Sequence, residues 1–286
     1  MTHPDTTPQA VPAILITDHG SRPLVPGESA DLGPATIPLE PEANWSTHLP
    51  VNEVFGPVIQ GEGPYVGRQA SFIRLGGQKA GAGCNLSCPP CDTKPTWDAD
   101  QYDLAAENPM TFVDQIVRDV GRWNTPLKVI SGGEPLLHQQ RVAWERLLRG
   151  LIKLGMGGIH VETNGTIAPN DISRFLVSHF SVSPKLTSMG GNDPEGKRIK
   201  PAALEAFREL ADQGHACLKI VCSTEADVEE AAAFADAHGF RREHLWVMPE
   251  GDTHDKVSLT SARIGNTAVR MGASFSPRLH LQMGVR

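Results

Sequence analysis

The sequence predicts an α/β fold arranged as a barrel, complete or partial. Three observations carry that expectation. Strand and helix patterns alternate from Val51 onward, which implies parallel strands joined by right-handed crossovers. Polar clusters follow four of the strand candidates, as in barrels whose sites lie at the C-terminal strand ends. The chain has 286 residues, 40% of them apolar, enough for one large domain with a substantial core.

The elements follow in order. Residues 1–50 hold nine of the 23 prolines and show no sustained period. They read as a disordered or loosely packed extension, with the ordered domain over 51–286. An apolar strand is expected over 70–75. Residues 111–123 fit a helix, with Thr111 as its cap, Asp114 in the first turn, and Val113, Ile116, Val117 and Val120 at helical spacing. A short strand over 127–131 precedes an amphipathic helix over 141–154, where Leu147, Leu148, Leu151 and Ile152 recur. Strands are expected over 158–162, 180–183 and 217–222, and helices over 201–213 and 225–238. Residues 245–248 close the series as a strand.

Net charge is −7 and no dense lysine or arginine run occurs. This argues against a nucleic-acid-wrapping surface and leaves small anionic substrates open. No apolar stretch approaches the roughly 20 residues that span a bilayer. The short apolar patch at 13–16 has no basic region ahead of it, unlike a signal peptide. Five cysteines, three of them clustered, suit metal binding in a reducing cytoplasm better than a disulfide framework. Cys217 and Cys222 fall on opposite faces of one strand and read as small buried hydrophobes.

The clustered three are Cys84, Cys88 and Cys91, at the spacing Cys-x-x-x-Cys-x-x-Cys. Gly83, Pro89 and Pro90 favour a turning loop. A structural zinc is normally closed by four protein ligands, and each iron of a cubane cluster takes one. Three thiolates therefore leave one iron open, the position an enzyme needs. Zinc completed by His138 or His160 is the alternative from spacing alone. The polar clusters at the expected strand ends are Gly132-Gly133-Glu134-Pro135, Glu162-Thr163-Asn164-Gly165, Ser183-Pro184-Lys185 and Met248-Pro249-Glu250-Gly251. All four would gather on one rim.

The cysteine spacing, taken with Gly-Gly-Glu-Pro after a strand, resembles the radical S-adenosylmethionine superfamily. That resemblance implies a partial (β/α) barrel of the radical S-adenosylmethionine type, a 4Fe–4S cluster on Cys84, Cys88 and Cys91, and S-adenosylmethionine at the open iron. Further segments narrow it: Ile59-Gln60-Gly61-Glu62-Gly63, Gly67-Arg68, Phe72-Ile73-Arg74 and Cys91-Asp92-Thr93. Together they resemble one family within the superfamily, 7-carboxy-7-deazaguanine synthase. The likeness runs from about Val51 to at least Gly251, with an echo in Ser276-Pro277-Arg278-Leu279-His280.

The family resemblance implies a lyase that contracts 6-carboxy-5,6,7,8-tetrahydropterin to 7-carboxy-7-deazaguanine with loss of ammonia. This magnesium-dependent 7-deazapurine chemistry is of the queuosine-biosynthesis type, and transfer-RNA modification, nucleoside natural products and modified DNA all begin from similar chemistry. It implies substrate contacts from Ile59, Gln60, Gly61, Glu62, Arg74 and Ser131, with Arg74 forked onto the carboxylate. It implies cofactor contacts from Gly133, Glu134, Asn164, Ser183, Pro184, Lys185, Met248, Pro249 and Glu250, and Mg2+ at Thr93. Asp92 reads as a turn or cap residue, and Trp97, Trp123 and Met189 as packing residues. A flavodoxin- or ferredoxin-type electron donor and a homodimer are the implied partners, with no nucleic acid and no membrane.

One departure stands out. The family has Arg-x-x-Gly-Cys, but here residues 78–83 intervene between Gly77 and Cys84. Their glycine and alanine content reads as a bulge that need not move the strand or the thiolates. Two other functions compete: a radical S-adenosylmethionine enzyme that activates a partner protein, and a non-catalytic zinc-stabilised binding module.

Overall fold

The described strands are β1 (His48–Ile59), β2 (Gln69–Leu75), β3 (Met110–Phe112), β4 (Leu127–Gly132), β5 (Gly158–Thr163), β6 (His179–Val182), β7 (Ala216–Cys222), β8 (Leu245–Pro249) and β9 (Ser274–Phe275). They form one sheet in the order β3-β1-β2-β4-β5-β6-β7-β8-β9. From β2 to β9 every neighbouring pair is parallel, while β1 is antiparallel to both β2 and β3. The sheet ends at β3 and β9, so the α/β barrel is partial.

The computed structural model describes residues 47–155 and 157–285, all within the unit Ala43–Arg286. The extension expected over 1–50 therefore lies outside the described residues, apart from 47–50. Of these, His48 to Pro50 already belong to β1, so the ordered domain begins before Val51.

The connecting helices are α1 (Leu104–Glu107), α2 (Val113–Gly121), α3 (Val142–Lys153), α4 (Asp171–Leu176), α5 (Glu195–Arg198), α6 (Pro201–Asp212), α7 (Glu225–Ala237), α8 (His254–Arg270) and α9 (Leu279–Met283). The parallel strands are apolar on both faces, as covered parallel strands must be: Leu127, Val129 and Ile130 of β4 are all buried. Ile116 and Val120 of α2 and Trp144, Leu147, Leu148 and Leu151 of α3 pack into the same core. Each such side chain contributes on the order of 1.5–3 kcal/mol by burial. Arg146 of α3 donates to Asp114 of α2 at 2.9 Å, fixing the rotation of one helix against the other. Thr224 starts α7 with a reciprocal cap: its hydroxyl accepts from Asp227 N, and the Asp227 carboxylate accepts from Thr224 N.

Two expectations change. Thr111 does not cap α2; it lies in β3, paired with Leu49, and α2 starts at Val113. The series does not close at 245–248, because α8 and β9 follow. On its buried face α8 alternates Val257, Ile264 and Ala268 with the threonines Thr260 and Thr267, so its apolar period is diluted. The long strand β1 holds Pro50 and Pro57, which speak against a strand interior. Pro57 falls within the register shift at Phe55/Val58, while Pro50 pairs in register with Met110 of the edge strand β3.

Two-residue alternation sets what faces the barrel interior. On β5 this gives His160 and then Glu162; on β7 it gives Cys217 and then Lys219. Tyr65, from the 3₁₀ turn Gly63–Tyr65, stacks edge-on against His160 and His179, with ring centroids 4.1 and 5.0 Å away. These rings plug the N-terminal end of the strands. Cys217 and Cys222 are both buried in β7. No described helix is long and apolar enough to cross a membrane.

Candidate active site

A cavity of about 520 Å3 opens at the C-terminal strand ends, a size that suits a small-molecule ligand. Cys84, Cys88 and Cys91 all line it. Their loop is clamped at several points. Ser87 N donates to the Asp193 carboxylate at 2.6 Å, and Asn192 donates to Ser87 O at 3.1 Å. Asn85 donates to Thr166 at 2.8 Å and accepts from Asn164 at 2.9 Å. Burial pushes the Cys84 thiol up to about 12 and raises Cys88 as well. These thiols must release their protons to solvent as they bind a metal.

The glycines beside the loop are there because backbones touch. Gly132 holds φ of 134°, a region that side chains rarely enter. A Cβ on Gly133 would stand 2.1 Å from Gly83 O. Glu134 N donates to that same Gly83 carbonyl at 2.8 Å, so the Gly-Gly-Glu turn is bonded to the cysteine loop. The excursion over 78–83 leaves and returns at one point. A Cβ on Gly77 would lie 2.2 Å from Gly83 N, so the added length projects sideways between fixed ends.

Charge is concentrated opposite the cysteines. Lys219 is buried and donates to Glu62 at 2.7 Å and Glu162 at 3.1 Å. Ser131 donates to Glu162 at 2.9 Å. Arg278 donates to Glu62 at 3.0 Å, to Asp92 at 3.3 Å, and to the Gly251 carbonyl. Burial opposes charge on Glu62, but Lys219 and Arg278 outweigh it and hold its carboxyl at about 2. Burial likewise opposes charge on Lys219, yet Glu162 and Glu62 prevail and raise its pKa. The C-terminal echo closes this side: Gly63 N donates to Ser276 Oγ at 2.7 Å, and Leu279 N donates to Gly61 O at 2.9 Å. A Cβ on Gly61 would reach His280 Nδ1 at 1.9 Å, so a side chain there would displace the imidazole.

Of the expected substrate residues, Ile59, Gln60, Gly61, Glu62, Arg74 and Ser131 all line the cavity. Arg74 gives its Nε to Glu53 at 2.8 Å. Of the expected cofactor residues, Gly133, Asn164, Ser183, Lys185, Met248 and Glu250 line it, whereas Glu134, Pro184 and Pro249 do not. Glu134 is buried, accepting from Leu136 N, Thr163 Oγ1 and Asn164 N. Burial pushes its carboxyl up to about 7 against those donors. It braces the rim from behind. Lys185 donates to Ser183 at 2.9 Å and has no carboxylate partner among the described residues. Thr93 lines the cavity beside Cys91.

Sequence reasoning missed Lys219 and the loop clamp Asp193, and it assigned Trp97, Met189 and Asp92 other duties. All but Asp193 line the cavity. The signal for Lys219 was a lone charge inside an otherwise apolar strand, since lysine is almost never fully buried unless paired. The zinc candidates are turned elsewhere: His138 Nε2 meets Gly76 O at 3.1 Å, and His160 packs on Tyr65.

A partial barrel with three cysteine sulfurs and a charged cavity at its rim is the arrangement of α/β enzymes that build their sites at the C-terminal strand ends. Residues 77–174 match the family described as a 4Fe-4S single cluster domain. The 7-carboxy-7-deazaguanine synthase of Hyperthermus butylicus is 36% identical over 241 residues, covering 82% of this chain and 93% of the relative. That of Pyrobaculum aerophilum is 33% identical, covering 81% and 92%. The crystal structure of QueE from Escherichia coli shares the fold, with a TM-score of 0.54, 24% identity, and coverage of 81% of this chain and 95% of that one. The chain belongs to the 7-carboxy-7-deazaguanine synthase family.

Proposed function

We propose that the chain catalyses the Mg2+-dependent, S-adenosylmethionine-dependent ring contraction of 6-carboxy-5,6,7,8-tetrahydropterin to 7-carboxy-7-deazaguanine, with loss of ammonia. The observation that carries this reading is the meeting of three cysteine sulfurs and the Glu62–Lys219–Glu162 network on one cavity. The donor set fits a cluster: three cysteine thiols on one short loop line a shared volume, and three thiolates leave one iron of a cubane open. When bound, the cluster and S-adenosylmethionine would supply the one-electron chemistry that leads to hydrogen abstraction from the pterin, and Mg2+ would supply charge neutralisation.

The chain's own residues bind and orient. Cys84, Cys88 and Cys91 would hold the cluster. Lys185, a cation on the cavity wall whose only hydrogen bond among the described residues is to Ser183, suits the carboxylate of S-adenosylmethionine, and Gly133, Asn164, Ser183, Met248 and Glu250 complete that wall. Arg74 keeps its Nε on Glu53 and offers its terminal nitrogens to the substrate carboxylate. Gln60 and Glu62 present acceptors to the amino-pyrimidine edge, while Lys219 keeps Glu62 ionised. Thr93 offers a hydroxyl oxygen to Mg2+. The Tyr65, His160 and His179 rings exclude water from below. An external donor of flavodoxin or ferredoxin type would supply the electron, and the product suits queuosine-type biosynthesis.

Anaerobic incubation with the carboxylated pterin, S-adenosylmethionine, Mg2+ and dithionite, followed by mass spectrometry, tests the proposal. The deazapurine acid and ammonia should accumulate together. Cleavage of S-adenosylmethionine without pterin consumption would rule the substrate out.

A further inference from the structure

We propose that Trp97 is a positioning residue for the cluster: its indole N–H donates to the Cys91 sulfur and raises the potential at which the cluster takes up an electron. This rests on the cluster reading above and goes beyond the ligand set itself. Trp97 Nε1 lies 3.3 Å from Cys91 Sγ. An indole N–H can only donate, so the sulfur is the acceptor, and the indole makes no other hydrogen bond among the described residues.

The contact is built by the local chain. Between Cys91 and Trp97 runs the 3₁₀ turn Lys94–Thr96. Thr96 N and Oγ1 both donate to Thr93 O, at 3.0 and 2.6 Å, and Trp97 N donates to Lys94 O at 3.0 Å. Thr96 is fully buried, and its carbonyl accepts from Gly77 N at 2.9 Å. The turn therefore folds the indole back over the cysteine six positions earlier and anchors it to the end of β2. Thr93 Oγ1 also approaches Cys91 Sγ at 3.4 Å, but its single proton is shared with Gly132 O at 3.3 Å. The indole is the dedicated side-chain donor to that sulfur.

The physical consequence has a definite sign. One electron from an external reductant enters the oxidised cluster, and the added negative charge spreads onto the sulfurs. A fixed N–H dipole stabilises the reduced state more than the oxidised one, so hydrogen bonds to cluster sulfurs tune the potential. No bond to hydrogen breaks and no proton moves.

The test uses the full chain, reconstituted anaerobically, with the reduced cluster followed by electron paramagnetic resonance during a potentiometric titration with dithionite. Trp97→Phe removes the N–H and keeps an aromatic ring. Its midpoint should shift to more negative potential, leaving a several-fold smaller reduced fraction at the wild-type midpoint. An intact cluster with an unshifted midpoint overturns the proposal. If Trp97→Phe assembles no cluster, wild-type protein carrying 15N at the tryptophan indole decides. A 15N coupling in the pulsed spectrum of the reduced cluster supports the contact, and its absence overturns it. Wild-type protein that takes up neither iron nor sulfide overturns the cluster reading and this proposal with it.

Discussion

Lys219 is the cavity residue whose removal has the plainest consequence. It is nearly inaccessible and bonds two carboxylates. Removing one partner of a buried ion pair leaves an uncompensated charge, a cost of about 3–5 kcal/mol. Lys219→Met should lower stability by that order in denaturant titration, and the Glu62 carboxyl should rise well above about 2, where it now stands. An unchanged unfolding midpoint would mean that Arg278 alone compensates Glu62. The cysteines were legible in sequence because their spacing is local. Lys219, Glu62 and Arg278 meet only through the sheet, across separations of 157 and 216 positions, and no linear pattern marks them as a set. Asp92 shows the same limit: a turn residue by local chemistry, it accepts from Arg278 instead.

At the scale of elements, the turn after β4 and the cysteine loop behave as one piece. Gly133→Ala would drive a Cβ into the Gly83 carbonyl, 2.1 Å away. We expect iron retention after reconstitution to fall on the order of tenfold, about 1.4 kcal/mol. Retention equal to wild type would separate the turn from the cluster. The excursion over 78–83 carries the opposite expectation. Its ends touch at Gly77 and Gly83, so deletion of 78–82 should leave iron content unchanged, and loss of iron would show that the added loop supports the thiols. Most strands and long helices were readable because their apolar periods are clean. β1 was hidden by its prolines, and α8 by buried threonines that fill core positions without an apolar signature.

For the whole molecule, three buried histidines set an acid limit. Burial holds His138 and His160 at about 4, and His179 at about 3. Each has an ordinary value of 6.5 in the unfolded chain. The folded state therefore resists protons that the unfolded state takes up. Stability is complete above about 6.5 and is lost as pH falls through 4, by about 3 kcal/mol for each of His138 and His160. Denaturant midpoints measured from pH 7 to pH 4 should decline steadily, and His160→Gln should flatten the slope whatever its own midpoint. A flat profile over that range would contradict the burial of these neutral rings. The partial barrel itself was legible from alternation and strand-end polarity. The antiparallel β1–β3 flank was not, because its pairing to β2 crosses loops that carry no apolar pattern.

The central claim is that Cys84, Cys88 and Cys91 hold a four-iron cluster at the mouth of the cavity. Elemental analysis of anaerobically reconstituted protein tests it most directly, with Cys88→Ala beside it. The account predicts about four irons and about four acid-labile sulfides per chain, lost in the variant. Stoichiometric zinc without sulfide, or iron content indifferent to Cys88, would contradict it.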